Sequence, residues 1–193
     1  PNDTDSSGIQ SATNTASGTY STAMGKNTTA SGNYSTAMGF DTTASGTDST
    51  AMGGNTEALG TYSTAMGDNT TASGTTSTAM GGNTTASGDF SSAMGYGTTA
   101  NGDYSSAMGG NTTASGDFSS AMGYGTTASD FGSTVIGLFN NSLSSITSGG
   151  SATSFNPANT AFVIGNGTGA DASDAFKVMF NGDTTVSGSV TAT

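Results

Sequence analysis

Three aspartates spaced 14 residues apart, Asp89, Asp103 and Asp117, are the side chains in this sequence best placed for chemistry. In strands stacked turn on turn they would form one column about 4.8 Å between neighbours. Such a column invites a bridging calcium ion or else stands as solvated surface charge, and the flanking Gly and Ser offer few further oxygen ligands. A second array is hydroxylic. Thr29, Thr43, Thr71, Thr85, Thr99, Thr113 and Thr127 recur at the same period, broken by Glu57, with Ser31, Ser45, Ser73, Ser87 and Ser115 two residues on. Regular Thr-x-Ser ranks could order water and bind ice, or could be ordinary strand residues on a wet face. A third array is aromatic: Tyr20, Tyr34, Tyr62, Phe90, Tyr104 and Phe118, interrupted by Asp48 and Thr76. It reads either as packing beside an apolar seam or as a carbohydrate-stacking surface.

What is missing narrows the chemistry further. The 193 residues contain no histidine, no cysteine and no arginine, and Lys26 and Lys177 are the only bases. A nucleophile, base and orienting group cannot be assembled from that set, so no enzyme activity and no cofactor are expected. A net charge of −11 with two cationic side chains leaves no phosphate-neutralising surface, which excludes nucleic acid. No apolar run approaches the roughly 20 residues that cross a bilayer as a helix, so no membrane-spanning segment is expected, and no signal segment opens the chain.

The elements that carry these arrays come from a repeat. A block close to Tyr-Ser-Thr-Ala-Met-Gly-x-Asn-Thr-Thr-Ala-Ser-Gly-x recurs nine times between about residues 14 and 139 without insertion. Met24, Met38, Met52, Met66, Met80, Met94, Met108 and Met122 mark it, and Ile136 takes the ninth place. The strict register outweighs the low apolar content of 32%, which by itself would suggest disorder. A fixed short period predicts stacked coils that contact their neighbours and build a rod.

Within one repeat, Ser21, Ala23 and Gly25 alternate with Tyr20, Thr22 and Met24, and Thr28, Ala30 and Gly32 alternate with Thr29 and Ser31. Period two predicts two short strands per coil. Gly25 with Lys26-Asn27, and Gly32 with Asn33, supply the corners, because Gly and Asn tolerate positive φ. The Asn-Thr-Thr triplets that begin at Asn27 match the N-glycosylation sequon and read here as turns. The fold class is therefore all-β, a parallel β-roll or β-solenoid of 14-residue repeats with Ala columns inside. A wider coil with Met inside and Ala outside satisfies the same alternation.

An alanine interior buries little. Ordering a coil costs about 14–28 kcal/mol of backbone entropy at 1–2 per residue, and burying one Met contributes about 1.5–3. With Met on the outer face of its own roll, the column is an exposed apolar stripe, and such stripes mark interfaces. The expected partner is the chain itself, a homo-oligomer whose Met24-to-Ile136 columns meet along a shared axis.

Ser-x-Ala-x-Gly at Ser21–Gly25, followed by Thr-x-Ala-x-Gly at Thr28–Gly32, repeated in register over about 125 residues, resembles the head repeats of trimeric autotransporter adhesins, the YadA-like heads. The resemblance implies a left-handed parallel β-roll and three chains around one axis. Its apolar columns would form the trimer core, at positions held here by Met24 through Met122 and Ile136. No neck, coiled-coil stalk or membrane anchor is recognisable, so the family's secretion route does not follow. Residues 161–167 and 175–183 resemble instead the stretch in phage tail fibres and large surface fibres that precedes a self-cleaving trimerisation chaperone.

Four segments are expected: a partial repeat or lead at 1–13, the nine-repeat roll at 14–139, a Ser/Gly-rich linker or loop at 140–160, and a hairpin-containing β end-domain at 161–193. Phe176, Val178 and Phe180 alternate with Lys177 and Met179, and Asn181-Gly182 is a hairpin signal. Together these features predict a non-enzymatic extracellular fibre or adhesin head, a homotrimer able to join end to end into a filament. Its ligand would be a surface receptor, glycan or matrix component. An ice-binding protein using the Thr ladder and a phage or virus tail-fibre segment are the alternatives.

Overall fold

A computed structural model describes residues 14–141 and 150–190, and the backbone of residues 7–9. The lead at 1–13 therefore lies outside the described residues except for strand Ser7–Ile9, and residues 142–149 of the expected linker lie outside them too. Among the described residues there is no helix. The chain divides into two compact units, Pro1–Gly97 and Thr98–Thr193. Each is a parallel β-solenoid, and nine 14-residue turns are shared between them.

Every turn has a five-residue strand and a two-residue strand. In the first unit the long strands run from Thr22–Lys26 through Ser92–Tyr96 and pair in parallel at a shift of 14, so Ala23 faces Ala37 and Met24 faces Met38. The short strands, such as Thr29–Ala30 and Thr43–Ala44, stack in the same way. In the second unit Ser106–Gly110, Ser120–Tyr124 and Thr134–Leu138 continue the pattern.

The interior is as thin as the alternation requires. Ala23 and Ala30, and their counterparts through Ala121 and Ala128, have no exposed surface. The arrangement with Met inside and Ala outside is thereby overturned. Each turn also buries one Ser and one Thr, so hydroxyls share the core with methyls. Ser35 donates to the Gly32 carbonyl at 2.6 Å, but Thr28, Thr42 and Thr70 bury hydroxyls that have no hydrogen-bond partner. An unpaired buried hydroxyl costs about 1–3 kcal/mol, so this interior holds the chain together less well than an aliphatic one.

One corner is built as expected, with positive φ at Gly25 and Asn27, and the other is not. Gly25 and its counterparts are not interior residues: they are exposed, with φ between +119° and +131° from Gly25 to Gly123. A Cβ at Gly67 would also collide with the carbonyl of Gly81 one turn on. Both reasons demand glycine. Gly32, in contrast, has no positive φ and is glycine because a Cβ would meet the backbone of Gly46. The positive φ at that corner falls on Tyr34, at 58°, and at the other corner on Asn27, also at 58°.

After Thr134–Leu138 the second unit changes character. The short-strand stack ends at Thr127–Ala128, where the Asn140 side chain accepts from the Thr127 amide at 2.7 Å and donates to its carbonyl at 3.0 Å. One side-chain amide thus stands in for the next strand. The long-strand sheet instead resumes with Thr160–Asn166, parallel to Thr134–Leu138, so that Val135 pairs with Val163 and Ile136 with Ile164. Asp174–Met179 and Thr184–Val186 then add antiparallel to the same sheet, joined by the turn containing Asn181-Gly182.

Candidate interaction surfaces

The nine residues expected at a seam fall on the outer face of the long strands. In the first unit Met24, Met38, Met52, Met66, Met80 and Met94 stand in register; in the second, Met108, Met122 and Ile136 do. All are half-buried except Met24, which is 36% exposed. Each methionine sits between a buried alanine and a glycine of positive φ, and Ile136 between buried Val135 and Gly137, so strand geometry leaves these side chains no route inward. The adjacent outward column is Thr or Ser throughout the repeats, from Thr22 to Thr134. Neither column contains a charged side chain. Among the described residues the acidic groups lie outside these two columns, at Asp41, Asp48, Glu57, Asp89, Asp103, Asp117, Asp130, Asp171, Asp174 and Asp183, with Asp68 at the end of the strand that carries Met66.

The aromatic column lies elsewhere than expected. Period two, extended back from Thr22, places Tyr20 on the Met face, but the strand begins at Thr22 and Tyr20 belongs to the turn before it. That turn is closed by the Ser21 amide on the Gly18 carbonyl at 3.1 Å, with φ of 57° at Tyr20. Such a third turn position normally goes to Gly or Asn. Two pairs of rings offset this strain by stacking, Tyr20 on Tyr34 at 5.4 Å and 18° and Tyr104 on Phe118 at 4.8 Å and 5°, while Tyr62 stands between Asp48 and Thr76. In those pairs the rings cover each other's faces and show solvent their edges, which leaves little platform there for a sugar. A further set of exposed apolar side chains, Phe40, Tyr96, Tyr124 and Leu138, occupies the residue after the turning glycine. Its irregular occupancy, shared with Lys26, Gly54 and Asp68, hides it from a search for repeats.

The threonine ladder is real and one residue wide. Thr29, Thr43 and Thr71, with Glu57 between the last two, stack in register and continue to Thr85; Thr99, Thr113 and Thr127 do so in the second unit. All seven threonines are half-buried, whereas Ser31, Ser45, Ser73 and Ser87 are exposed.

The aspartates act singly. The Asp89 carboxylate accepts from the Thr75 amide at 2.7 Å and Asp117 from the Asp103 amide at 3.0 Å. Asn33 does the same for Thr19 at 3.1 Å. An Asx side chain there ties its own turn to the one before, a role that needs no cation. Among the described residues no three acidic side chains come together as metal ligands. At the other corner Asn27 donates to Asp41 at 2.8 Å and Asn69 to Asn83 at 2.7 Å, laddering the exposed amides.

One carboxylate was hidden by its position in the repeat. Asp130 replaces the glycine equivalent to Gly32 and is 2% exposed. Burial raises its pKa above the ordinary 3.8, although the Thr160 amide donating at 2.7 Å, the Thr160 hydroxyl and the charge of Lys177 oppose that shift. Beside it Asn159, fully buried, accepts from the Ser151 amide at 2.7 Å and donates to the Ser151 and Ser154 carbonyls at 2.9 and 3.2 Å. These two side chains pin the point where the chain rejoins the sheet.

Compared with known families, residues 16–42, 44–70, 72–98, 100–126 and 114–139 match the YadA head domain repeat (2 copies), which is more than half of the chain. No curated protein matches.

Proposed function

Because this chain belongs to the YadA head domain repeat family, we propose that it is a non-enzymatic, extracellular adhesin head that works as a homotrimer, with the methionine columns of three copies packed around a common axis. The observation that carries this reading is the half-buried Met column, flanked by a column of Thr and Ser and repeated at every turn beside an interior of Ala, Ser and Thr. A chain with so small a core gains stability by burying that column against copies of itself. Covering the exposed remainder of each half-buried methionine contributes about 1 kcal/mol per turn, burial that the interior does not supply.

In that assembly the short-strand face, with its Thr and Ser ranks, and both corners remain toward solvent. They are the surfaces available to a receptor, glycan or matrix ligand. Attachment then follows from many identical weak sites along the repeat and three copies of each, which raises avidity without any single strong pocket.

The test is attachment together with location. Intact producing cells should be labelled by an antibody to residues 14–139, and beads coated with the chain should adhere to at least one of glycan-, matrix- or cell-coated surfaces. Beads coated with a variant carrying Asp at Met108, Met122 and Ile136 should adhere several-fold less. Labelling that requires permeabilised cells, or coated beads that adhere no better than bare ones, would contradict the proposal.

A further inference from the structure

The outward face of the long-strand sheet does not end with the repeats. In the second unit the register carries the column from Met108, Met122 and Ile136 to Ile164, then Phe176, then Val186. The neighbouring column changes more sharply. Ser106, Ser120 and Thr134 give way to Phe162 and Val178, so one apolar column becomes two. Phe162 and Phe176 meet edge to face at 6.2 Å. None of Phe162, Ile164, Phe176 or Val178 is buried, and Val186 is 41% exposed.

Polarity is inverted on the other side of the same strands. The inner column runs Ala107, Ala121, Val135, Val163 and then Lys177. A segment that served its own core would put Phe176 and Val178 inward and the lysine outward. Here the lysine faces the end of the core and the apolar side chains face away from it.

The register of the repeats decides what covers them. Along the repeats a copy slid by one turn, about 4.8 Å, still sets Met against Met, so the seam alone does not fix how copies align. The patch of Phe162, Ile164, Phe176 and Val178 occurs once and has no equivalent 14 residues away. A second copy also suits it by continuity: the patch prolongs the Met108, Met122 and Ile136 column in register, so copies that pair along that column meet here as well. We infer that this terminal patch is the registration site of the assembly, packing against the same patch of neighbouring copies and fixing their axial alignment. The inference rests on the seam reading above.

The absence of cysteine makes the test direct. In the full chain, Met108→Cys reports the repeat seam and Ile164→Cys reports the patch. Both should form covalent pairs under mild oxidation, up to roughly two-thirds of chains, the ceiling for one cysteine per chain in a threefold assembly. Pairing of Met108→Cys without Ile164→Cys overturns the patch and leaves the seam; no pairing of either overturns both. Alignment is then read by co-expressing Met108→Cys and Ile136→Cys chains, whose sulfurs in an aligned assembly are two turns apart, beyond disulfide reach. With the patch intact, mixed 108–136 pairs should be rare; adding Phe162→Thr and Phe176→Thr should raise them at least several-fold while association persists. Equal mixed pairing with and without the patch would overturn the registration role.

Discussion

Gly67 and Gly188 have nearly the same backbone, with φ of +128° and +129°, in opposite surroundings. Around Gly67, in the repeats, a Cβ would strike the backbone of the next turn; around Gly188, in the terminal segment, nothing lies within 4 Å. The contrast holds for the two regions as wholes. In the repeats each position is fixed by its copies one turn above and below, and single side chains do little alone. From Asp130 onward the fold depends on individual residues, Asp130, Asn140 and Asn159, each making contacts that occur once.

The largest expected effect separates those regimes. Gly67→Ala combines a strained φ with a backbone collision and should cost about 4 kcal/mol, whereas Gly188→Ala carries strain alone and should cost about 1–2. Chemical denaturation of both variants measures the difference, and equal losses would show that stacking does not hold the repeat glycines. Next comes Asn159→Ala, which removes a buried amide and leaves the Ser151 and Ser154 groups unpaired, at about 2–3 kcal/mol. Hydrogen exchange should quicken at 150–166 and stay unchanged at 22–96; a uniform change would erase the distinction between regions.

Opposite in sign is Thr70→Val, which replaces a buried hydroxyl without a partner by a methyl of the same shape. It should stabilise the repeats by about 1 kcal/mol, read as a higher Tm, and a lower Tm would mean the hydroxyl is paired in solution. Smallest is the effect of pH on the terminal segment. Asp130 has a raised folded pKa, so its stabilising contribution is full below the ordinary carboxylate range and is lost as pH rises through the folded value. Asp130→Asn should flatten that slope in the protection of residues 160–166, and an unaltered slope would exclude Asp130 as its source.

Much of the repeat was legible because alternation and a 14-residue period together fix which side chains share a face. Ala23 and Ala30 inside, and Met24 outside, follow from those two facts once the thinness of an alanine core is weighed. Alternation misled where the strand stopped: it carried Tyr20 onto the Met face, although the residue lies in a turn of positive φ. The corner at Gly25 and Asn27 was legible from residue type, whereas at the other corner the positive φ falls on Tyr34, a residue type that gives no sign of it. The terminal region was less legible for a different reason. Its organising contacts span long separations, as from Asp130 to Thr160, and the alignment of Ile164 with Ile136 depends on where the chain returns after a long excursion. No local pattern encodes that return.

The central claim is that the Met face is closed by copies of the chain, and its most direct test is the mass of the protein in dilute solution by sedimentation equilibrium or light scattering. Closure by copies in a trimer gives three times the 18.6 kDa of one chain, falling to a single chain or to unfolded material when Met108, Met122 and Ile136 are replaced by Asp. A folded, β-rich species of 18.6 kDa from the unaltered protein would contradict it.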